Sequence, residues 1–210
     1  MIDVYAFSTP NSVKVPIALE EMGLAYTVHA VNIRQGQQKA PDFIARNANA
    51  KVPVIVDHDA TGAALTLSES AAILVYLAEK SGQLLPRDGA GRARVLEQLF
   101  FHASGLGPAF GNAGFFTRFA PEPIPLAIAR FQDEGRRILG VLDAILARQP
   151  YVAGDALTIA DIAHFGWLWR RAFAGFDFDA TPHLAAWYAR LEARPAFQRG
   201  VAAVEALAPA

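Results

Sequence analysis

The 210-residue chain contains no cysteine, which excludes disulfide bonds, thiolate metal sites and a protein thiol nucleophile. Its net charge of −1 provides no basic surface of the kind that binds nucleic acid, so we expect no nucleic-acid partner. No apolar run is long enough to cross a bilayer and no signal peptide follows Met1, so we expect a cytoplasmic protein with no membrane contact. The five histidines lack the spacing of metal ligands, so we also expect no metal.

Hydrophobic residues make up 53% of the chain, enough to bury a substantial core. The first 82 residues alternate between segments with strand periodicity and segments with helix periodicity. This pattern predicts the element order β-α-β-α-β-β-α, a compact α/β layer with a four-stranded mixed sheet. A helix begins after Asn11 or Ser12, which could cap it, and Pro16 within that helix predicts a slight kink or a later start.

Residues 82–92 hold three glycines and a proline and break the apolar pattern, so we predict a linker over residues 83–92. Residues 93–210 carry helical periodicity without a convincing strand, so this second domain is predicted to be all-helical. Its glycines between 105 and 114 predict a loosened chain. The phenylalanine-rich segment 115–119 then has two interpretations: it forms the wall of a pocket for an apolar electrophile, or it is a packed loop between helices. The segment from Thr158 to Asp161 is a helix capping box, and Asp161 is therefore assigned a structural role.

The stretch from Lys51 to Ser70 carries the strongest indication of a ligand site. A short buried strand headed by Pro53 leads through a turn into a second strand, and a helix opens near Ser70. A helix N-terminus offers unpaired N–H groups that can hold a carboxylate, and Val52 could pair its backbone with an extended peptide. The alternative is a buried strand followed by a capped helix, which requires no ligand.

Taken together, Val52-Pro53, Glu69-Ser70 and the Thr158-to-Asp161 box resemble the glutathione transferase superfamily over nearly the whole chain. The segments Thr9-Pro10-Asn11 and Gly36-Gln37-Gln38 are most similar to its bacterial Nu class. The resemblance implies a thioredoxin-like domain over residues 1–82, a helical domain over residues 93–210, and a homodimer. It also implies glutathione as co-substrate, whose thiolate reduces small disulfides or transfers the thiol and, as a second activity, attacks small electrophiles.

The resemblance further assigns roles to individual positions. Thr9 and Asn11 contact the thiol of glutathione and are the catalytic residues. They would stabilise the thiolate without removing its proton, because neither is a base at neutral pH. The other assigned positions bind the rest of glutathione: Gln38, Lys51, Val52, Pro53, Glu69, Ser70 and, near the start of the long helix, Arg130. Ala50 departs from the family pattern, which has glycine there, and is disfavoured if the position requires a positive φ.

Several alternatives remain open from the sequence. Tyr5 could donate to the thiol, although its place inside the first strand favours packing. Ser8 and Ser12 could serve as serine-type donors, although turn capping is the simpler role. A different class of function is also possible, that of a non-catalytic binding or regulatory protein that keeps the transferase fold.

Overall fold

A computed structural model describes residues 1–208, which divide into two compact units. The first unit comprises Met1–Leu85 together with the chain from Ala193 onward, and the second comprises Pro86–Glu192. This division differs from the predicted domains, because the end of the chain belongs with the first unit and not with the helical one. The predicted linker 83–92 is also shorter than expected, since a helix begins at Gly89.

The first unit contains the predicted four-stranded mixed sheet. Its strands are β1 (Ile2–Ala6), β2 (Tyr26–Ala30), β3 (Val54–Asp57) and β4 (Leu65–Ser68), in the spatial order β2-β1-β3-β4. β1 runs parallel to β2 and antiparallel to β3, and β3 runs antiparallel to β4. The connection from β1 to β2 passes through helix α1 (Lys14–Met22), as a parallel pair requires.

Helix α1 begins later than its predicted caps. Its N-cap is Val13, which has no side-chain capping bond, so the assignment of the cap to Asn11 or Ser12 is wrong. The late start places Pro16 in the first turn, where its missing N–H would have had no partner in the helix. Short 3₁₀ turns follow β2. The first unit also contains the helices α2 (Pro41–Ile44) and α3 (Ser70–Ser81).

The last helix, α9 (Pro195–Glu205), packs on α1 within the first unit. A Cβ atom at Gly200 would lie 2.6 Å from the backbone nitrogen of Ile17, so the two helices approach too closely for any side chain there. Arg194 Nε lies 2.7 Å from Glu21 Oε1, and further along the same face Arg199 pairs with Glu20. Close packing and charge pairing together hold α9 against the helix that opens behind the Asn11 turn.

The second unit consists of helices joined by turns and loops, one of which contains an isolated β-bridge between Tyr151 and Gly154. Its helices are α4 (Gly89–Phe101), α5 (Gly107–Arg118), α6 (Pro125–Leu146), α7 (Ile159–Trp169) and α8 (Pro182–Glu192), and a π-helical turn, His102–Leu106, joins α4 to α5. The prediction that glycines loosen residues 105–114 is wrong, because most of that segment lies in α5. The glycines instead admit aromatic rings: a Cβ atom at Gly111 would meet Trp167 at 3.3 Å, and one at Gly114 would meet Phe173 at 2.0 Å.

The capping box at the start of α7 forms as predicted, and Asp161 is fully buried within the second unit. Its Oδ1 accepts from the Val152 N–H at 3.0 Å and from Trp187 Nε1 at 2.9 Å, and its Oδ2 accepts from the N–H and hydroxyl of Thr158. Burial raises the pKa of the Asp161 carboxyl, while these four hydrogen bonds favour its charged form. The structural role predicted for Asp161 is confirmed.

The described part of the chain, residues 1–208, lacks two features that would indicate a membrane or metal site. No helix there is both long and apolar enough to cross a membrane. The same residues contain no group of three or more histidine, cysteine, aspartate or glutamate side chains placed to hold a metal ion.

Candidate functional site

A cleft of about 50 Å³ in the first unit gathers most of the site residues predicted there. Its lining comes from three places in the chain: the turn after β1, the loop before β3, and the junction of β4 with α3. The lining residues are Asn11, Asn47, Lys51, Val52, Pro53, Glu69 and Ser70. The Val52-Pro53 peptide bond is cis. The fold therefore brings six of the predicted residues to one place, together with Asn47.

A buried lysine joins two sides of this cleft. Lys14 is the first residue of α1 and is only 1% exposed. Its Nζ donates to Asn11 Oδ1 at 2.7 Å and to Ser70 Oγ at 3.2 Å. The turn that carries Asn11 is thereby tied to the N-terminus of α3, where Ser70 lies 56 residues after Lys14 in sequence.

Burial makes Lys14 the most perturbed base of the site. Desolvation lowers the pKa of its ammonium group from 10.5 to about 7, and the nearby carboxylate of Glu69 offsets part of that shift. The group therefore changes charge close to neutral pH, where an ordinary lysine is fully protonated. Its state of protonation can influence every polar group that it contacts.

Thr9 lies in the turn after β1 with its hydroxyl turned toward the protein. Thr9 Oγ1 donates to Ser12 Oγ at 2.9 Å and accepts the Ser12 N–H at 3.1 Å. Ser12 is completely buried and serves the turn, which agrees with the structural alternative given for it. Thr9 must therefore release Ser12 before its hydroxyl can donate to a ligand.

The loop before Val52 is shaped by Asn47, which is 8% exposed. Its side-chain Nδ2 donates to the carbonyl of Lys51 at 2.8 Å, and its Oδ1 accepts the N–H of Asn49 at 3.0 Å. Ala50 follows with φ +52°, in the left-handed region that favours glycine. The position therefore does require a positive φ, and alanine occupies it at a cost in strain.

Replacing Ala50 with glycine is expected to raise the free energy of unfolding by about 0.5 kcal/mol. Relief of the left-handed alanine is worth roughly 1 kcal/mol, and the greater freedom of glycine in the unfolded chain returns part of it. Urea denaturation measures the change. Ala45→Gly is the matched control, because exposed Ala45 has φ −61° and should be destabilised by the same substitution. Equal losses in both variants would show that Ala50 is unstrained.

Glu69 and Ser70 stand where β4 passes into α3. Glu69 is the N-cap residue, with φ +67°, and Ser70 is the first residue of a 12-residue helix. The N-terminus of α3 offers backbone N–H groups and a partial positive charge to an anion in the cleft. The site thus combines a helix terminus with a buried ammonium group.

Three of the predicted site residues do not line the cleft. They are Thr9, Gln38 and Arg130. Gln38 belongs to a 3₁₀ turn, and its Oε1 is buried without a hydrogen-bond partner. Arg130 is an exposed residue of α6, in the other unit. Tyr5 packs beneath the loop against Val52 and stacks on His29, with ring centroids 4.9 Å apart, so the packing role predicted for it is supported.

Two larger grooves, each of about 460 Å³, lie away from these residues. The groove in the second unit is lined by the exposed charged residues Arg94, Glu97 and Arg148 together with less exposed residues. The groove in the first unit lies along the turn between β3 and β4. Neither groove contains a predicted site residue.

Comparison with known proteins places the chain among glutathione S-transferases. Residues 9–80 match the N-terminal domain of this family, and residues 127–195 match its C-terminal domain. The disulfide-bond oxidoreductase YfcG of Escherichia coli is 40% identical over 200 residues, which cover 93% of this chain and 92% of that protein. The chain belongs to the glutathione S-transferase family.

Two solved structures of family members resemble this transferase closely. A member from Pseudomonas fluorescens with two glutathione molecules bound has a TM-score of 0.90 and 41% identity, covering 95% of this chain and 92% of that one. A glutathione transferase from Pseudomonas putida with one glutathione disulfide bound per subunit has a TM-score of 0.88 and 41% identity, covering 95% and 90%. The family and the transferase fold predicted from the sequence are confirmed.

Two residues of the transferase site were absent from the predicted set. Asn47 had a recognisable signal, since an asparagine whose side chain accepts a backbone N–H two residues later is typical of turns. Lys14 had a weaker one, as a lone lysine among the apolar residues of α1. Sequence periodicity alone does not distinguish a buried lysine from one on the surface of a helix.

Proposed function

We propose that this transferase binds glutathione in the described cleft and uses its thiolate to reduce small disulfides. The observation that carries the proposal is the convergence of Asn11, the backbone of Val52 and the α3 N-terminus at Ser70 on one cleft. Glutathione is a tripeptide with a thiol in its middle and carboxylates at its ends. The cleft provides polar groups suited to a thiol, to a peptide backbone and to an anion.

The anion-binding end supports placement of the γ-glutamyl group. The Ser70 hydroxyl and the backbone N–H groups that open α3 are donors suited to a carboxylate, and the carboxylate of Glu69 suits an α-amino group. Lys51 and Gln38 are assigned to the glycyl carboxylate on the basis of the family resemblance. Val52 is assigned to the cysteinyl backbone, next to Pro53.

The thiol end supports a thiolate without supplying a base. Asn11 lines the cleft, and its side-chain oxygen is already occupied by Lys14 at 2.7 Å, so its amide hydrogens are the groups left for a sulfur. Donors of this kind favour the anionic form and raise the fraction of reactive thiolate near neutral pH. Thr9 joins Asn11 in this role once its hydroxyl leaves Ser12.

The proposed reaction consumes two glutathione molecules for each disulfide. The first thiolate attacks one sulfur of the substrate, forms a mixed disulfide and expels a substrate thiolate. A second glutathione thiolate attacks the glutathione sulfur of that mixed disulfide, forming glutathione disulfide and expelling the other substrate thiolate. The two protons released by glutathione end on the two product thiols. Because the chain contains no cysteine, both steps occur on glutathione itself.

The remaining features of the proposed function rest on the family resemblance. We propose that the transferase acts as a homodimer in the cytoplasm, and that conjugation of small electrophiles is a secondary activity. Arg130 is proposed to reach a neighbouring glutathione site. No metal is assigned to the reaction, since neither step requires one.

Calorimetric titration with reduced and oxidised glutathione tests the proposal, followed by a disulfide-reduction assay on the same sample. We expect both forms to bind, and Ser70→Ala to weaken both at least about tenfold, because a hydrogen bond to a charged group is worth roughly 1.5–3 kcal/mol. Ser81→Ala, at the opposite end of α3, is the matched control and should bind as the parent does.

The possible outcomes separate the candidate functions. Binding with disulfide reduction supports the proposed enzyme, and binding of reduced glutathione with conjugation alone supports an ordinary transferase. Binding without either reaction supports the non-catalytic alternative. If neither form of glutathione binds, the proposed function is wrong.

A further inference from the structure

The ammonium group of Lys14 is well placed to influence both ends of the cleft. It lies within hydrogen-bond distance of Asn11 on one side and of Ser70 on the other. A protonated amine carries three donors and no acceptor, whereas an amide or a hydroxyl can act in either sense. Because protonated Lys14 can only donate, it determines the orientation of the Asn11 amide and of the Ser70 hydroxyl.

At Asn11 this constraint sets the direction of the amide. A protonated Lys14 can only donate, so the Asn11 oxygen must face it. The Nδ2 group of Asn11, with its two N–H donors, then points away from Lys14. The same reasoning applies to Ser70. Its Oγ accepts from Lys14, which leaves the hydroxyl hydrogen free for another acceptor.

We propose that Lys14 is a positioning residue that holds Asn11 and Ser70 as hydrogen-bond donors toward the two anionic parts of glutathione. Asn11 then faces the thiolate, and Ser70 faces the γ-glutamyl carboxylate. Without the lysine proton, the Asn11 amide can turn its oxygen toward the sulfur, which repels the thiolate. The inference rests on the proposed function, because it concerns the same cleft and the same ligand.

The protonation of Lys14 is isolated from most other charges around it. Glu69, at the start of α3, is the carboxylate that acts on it. Near α1, three ion pairs join other charged groups to one another: Arg194–Glu21, Arg199–Glu20 and Lys80–Asp57. The remaining carboxylates of α3 and α9 are those of Glu79 and Glu205, at the C-terminal ends of the two helices. Loss of the Lys14 proton is therefore expected to appear as a single step in the pH dependence of the reaction.

The experiment compares Lys14→Met with its parent in glutathione-dependent reduction of bis(2-hydroxyethyl) disulfide. We expect kcat/KM for glutathione to fall about tenfold at about pH 6, where Lys14 is protonated, and the ratio of parent to variant to approach one above about pH 8.5. A merely structural lysine would give the same ratio at every pH. Lys39→Met, which removes an exposed lysine of the same unit, is the control and should match the parent.

A double-mutant cycle tests whether Lys14 acts through Asn11. In the Asn11→Ala background, Lys14→Met should change kcat less than twofold, since the amide to be oriented is absent. Losses that simply multiply would overturn the inference. Lys14→Arg keeps the donors and should retain more activity than Lys14→Met. If Lys14→Met does not fold, Lys14→Gln, which also removes the positive charge, takes its place in the cycle.

The outcomes distinguish this inference from the proposed function. If the parent neither binds glutathione nor reduces the disulfide, the proposed function fails, and the role given to Lys14 fails with it. If the parent is active but the ratio is independent of pH, only the role of Lys14 is wrong. A thermal unfolding midpoint of Lys14→Met at or above that of the parent would exclude loss of fold as the cause of lower activity, because a buried cation replaced by an apolar chain need not destabilise.

Discussion

Asp161→Ala is expected to lower the free energy of unfolding by about 4 kcal/mol. The carboxylate of Asp161 accepts four hydrogen bonds inside the second unit. Its removal leaves the N–H groups of Val152 and Thr158 and the indole N–H of Trp187 buried without an acceptor. Each such orphaned donor costs roughly 1–3 kcal/mol, and part of the sum is returned because a desolvated charge disappears. Urea denaturation followed by tryptophan fluorescence measures the loss.

Two further variants test whether the loss of stability comes from the hydrogen bonds that Asp161 accepts. Asp161→Asn should fall between the parent and the alanine variant, because one of its two acceptor oxygens becomes an NH₂ group that faces donors. Asp155→Ala removes an exposed carboxylate a few residues earlier and should change stability by less than about 0.5 kcal/mol. If Asp161→Ala cost no more than Asp155→Ala, the hydrogen-bond network would not be what holds the start of α7.

Asn11→Ala is expected to lower kcat for disulfide reduction about 100-fold while weakening glutathione binding less than about threefold. The Asn11 amide is proposed to donate to the sulfur, and that contact strengthens when the sulfur is anionic. Losing one donor aimed at a developing or stabilised anion typically costs 10²–10³ in turnover. A contact that matters mainly for the reactive form should affect kcat more than affinity.

Asn11→Asp separates the charge of this position from its shape. An aspartate can still accept from Lys14 and should preserve or raise stability, since it places a carboxylate beside a buried cation. It also presents negative charge to the thiolate, so its kcat should be no higher than that of Asn11→Ala. Asn112→Ala, in α5 of the other unit, is the control with the same change of residue type. Parental turnover in Asn11→Ala would remove Asn11 from the mechanism.

The order of elements in the first unit was predictable because its periodicities are short-range. Strand-like alternation and turn residues predicted the order of β1 to β4 correctly, and the resemblance to glutathione transferases identified six of the seven residues that line the cleft. The Thr158-to-Asp161 box was equally predictable, because the signal and its consequence lie within four residues. Local patterns of this kind determine local structure with little help from the rest of the chain.

The errors arose where one segment depends on another that is distant in sequence. The glycines of α5 indicated a loose chain, but their role is set by Trp167 and Phe173, whose rings occupy the space where side chains would be. The pairing of α9 with α1 depends on Gly200 and Ile17, and no periodicity within either helix reveals it. Lys14 was overlooked for the same reason, since one of its acceptors, Ser70, lies in another helix.

The place of α9 also constrains the order in which the protein can be made and folded. A ribosome adds roughly 5–20 residues per second, so α9 appears roughly 5 to 20 seconds after Leu85. During that interval the face of α1 around Ile17 lacks the helix that covers it in the finished unit. The first unit is thus the first to begin synthesis but cannot be completed before the second has been made. A fragment that ends at Leu85 would lack α9, the helix that covers α1 in the complete unit.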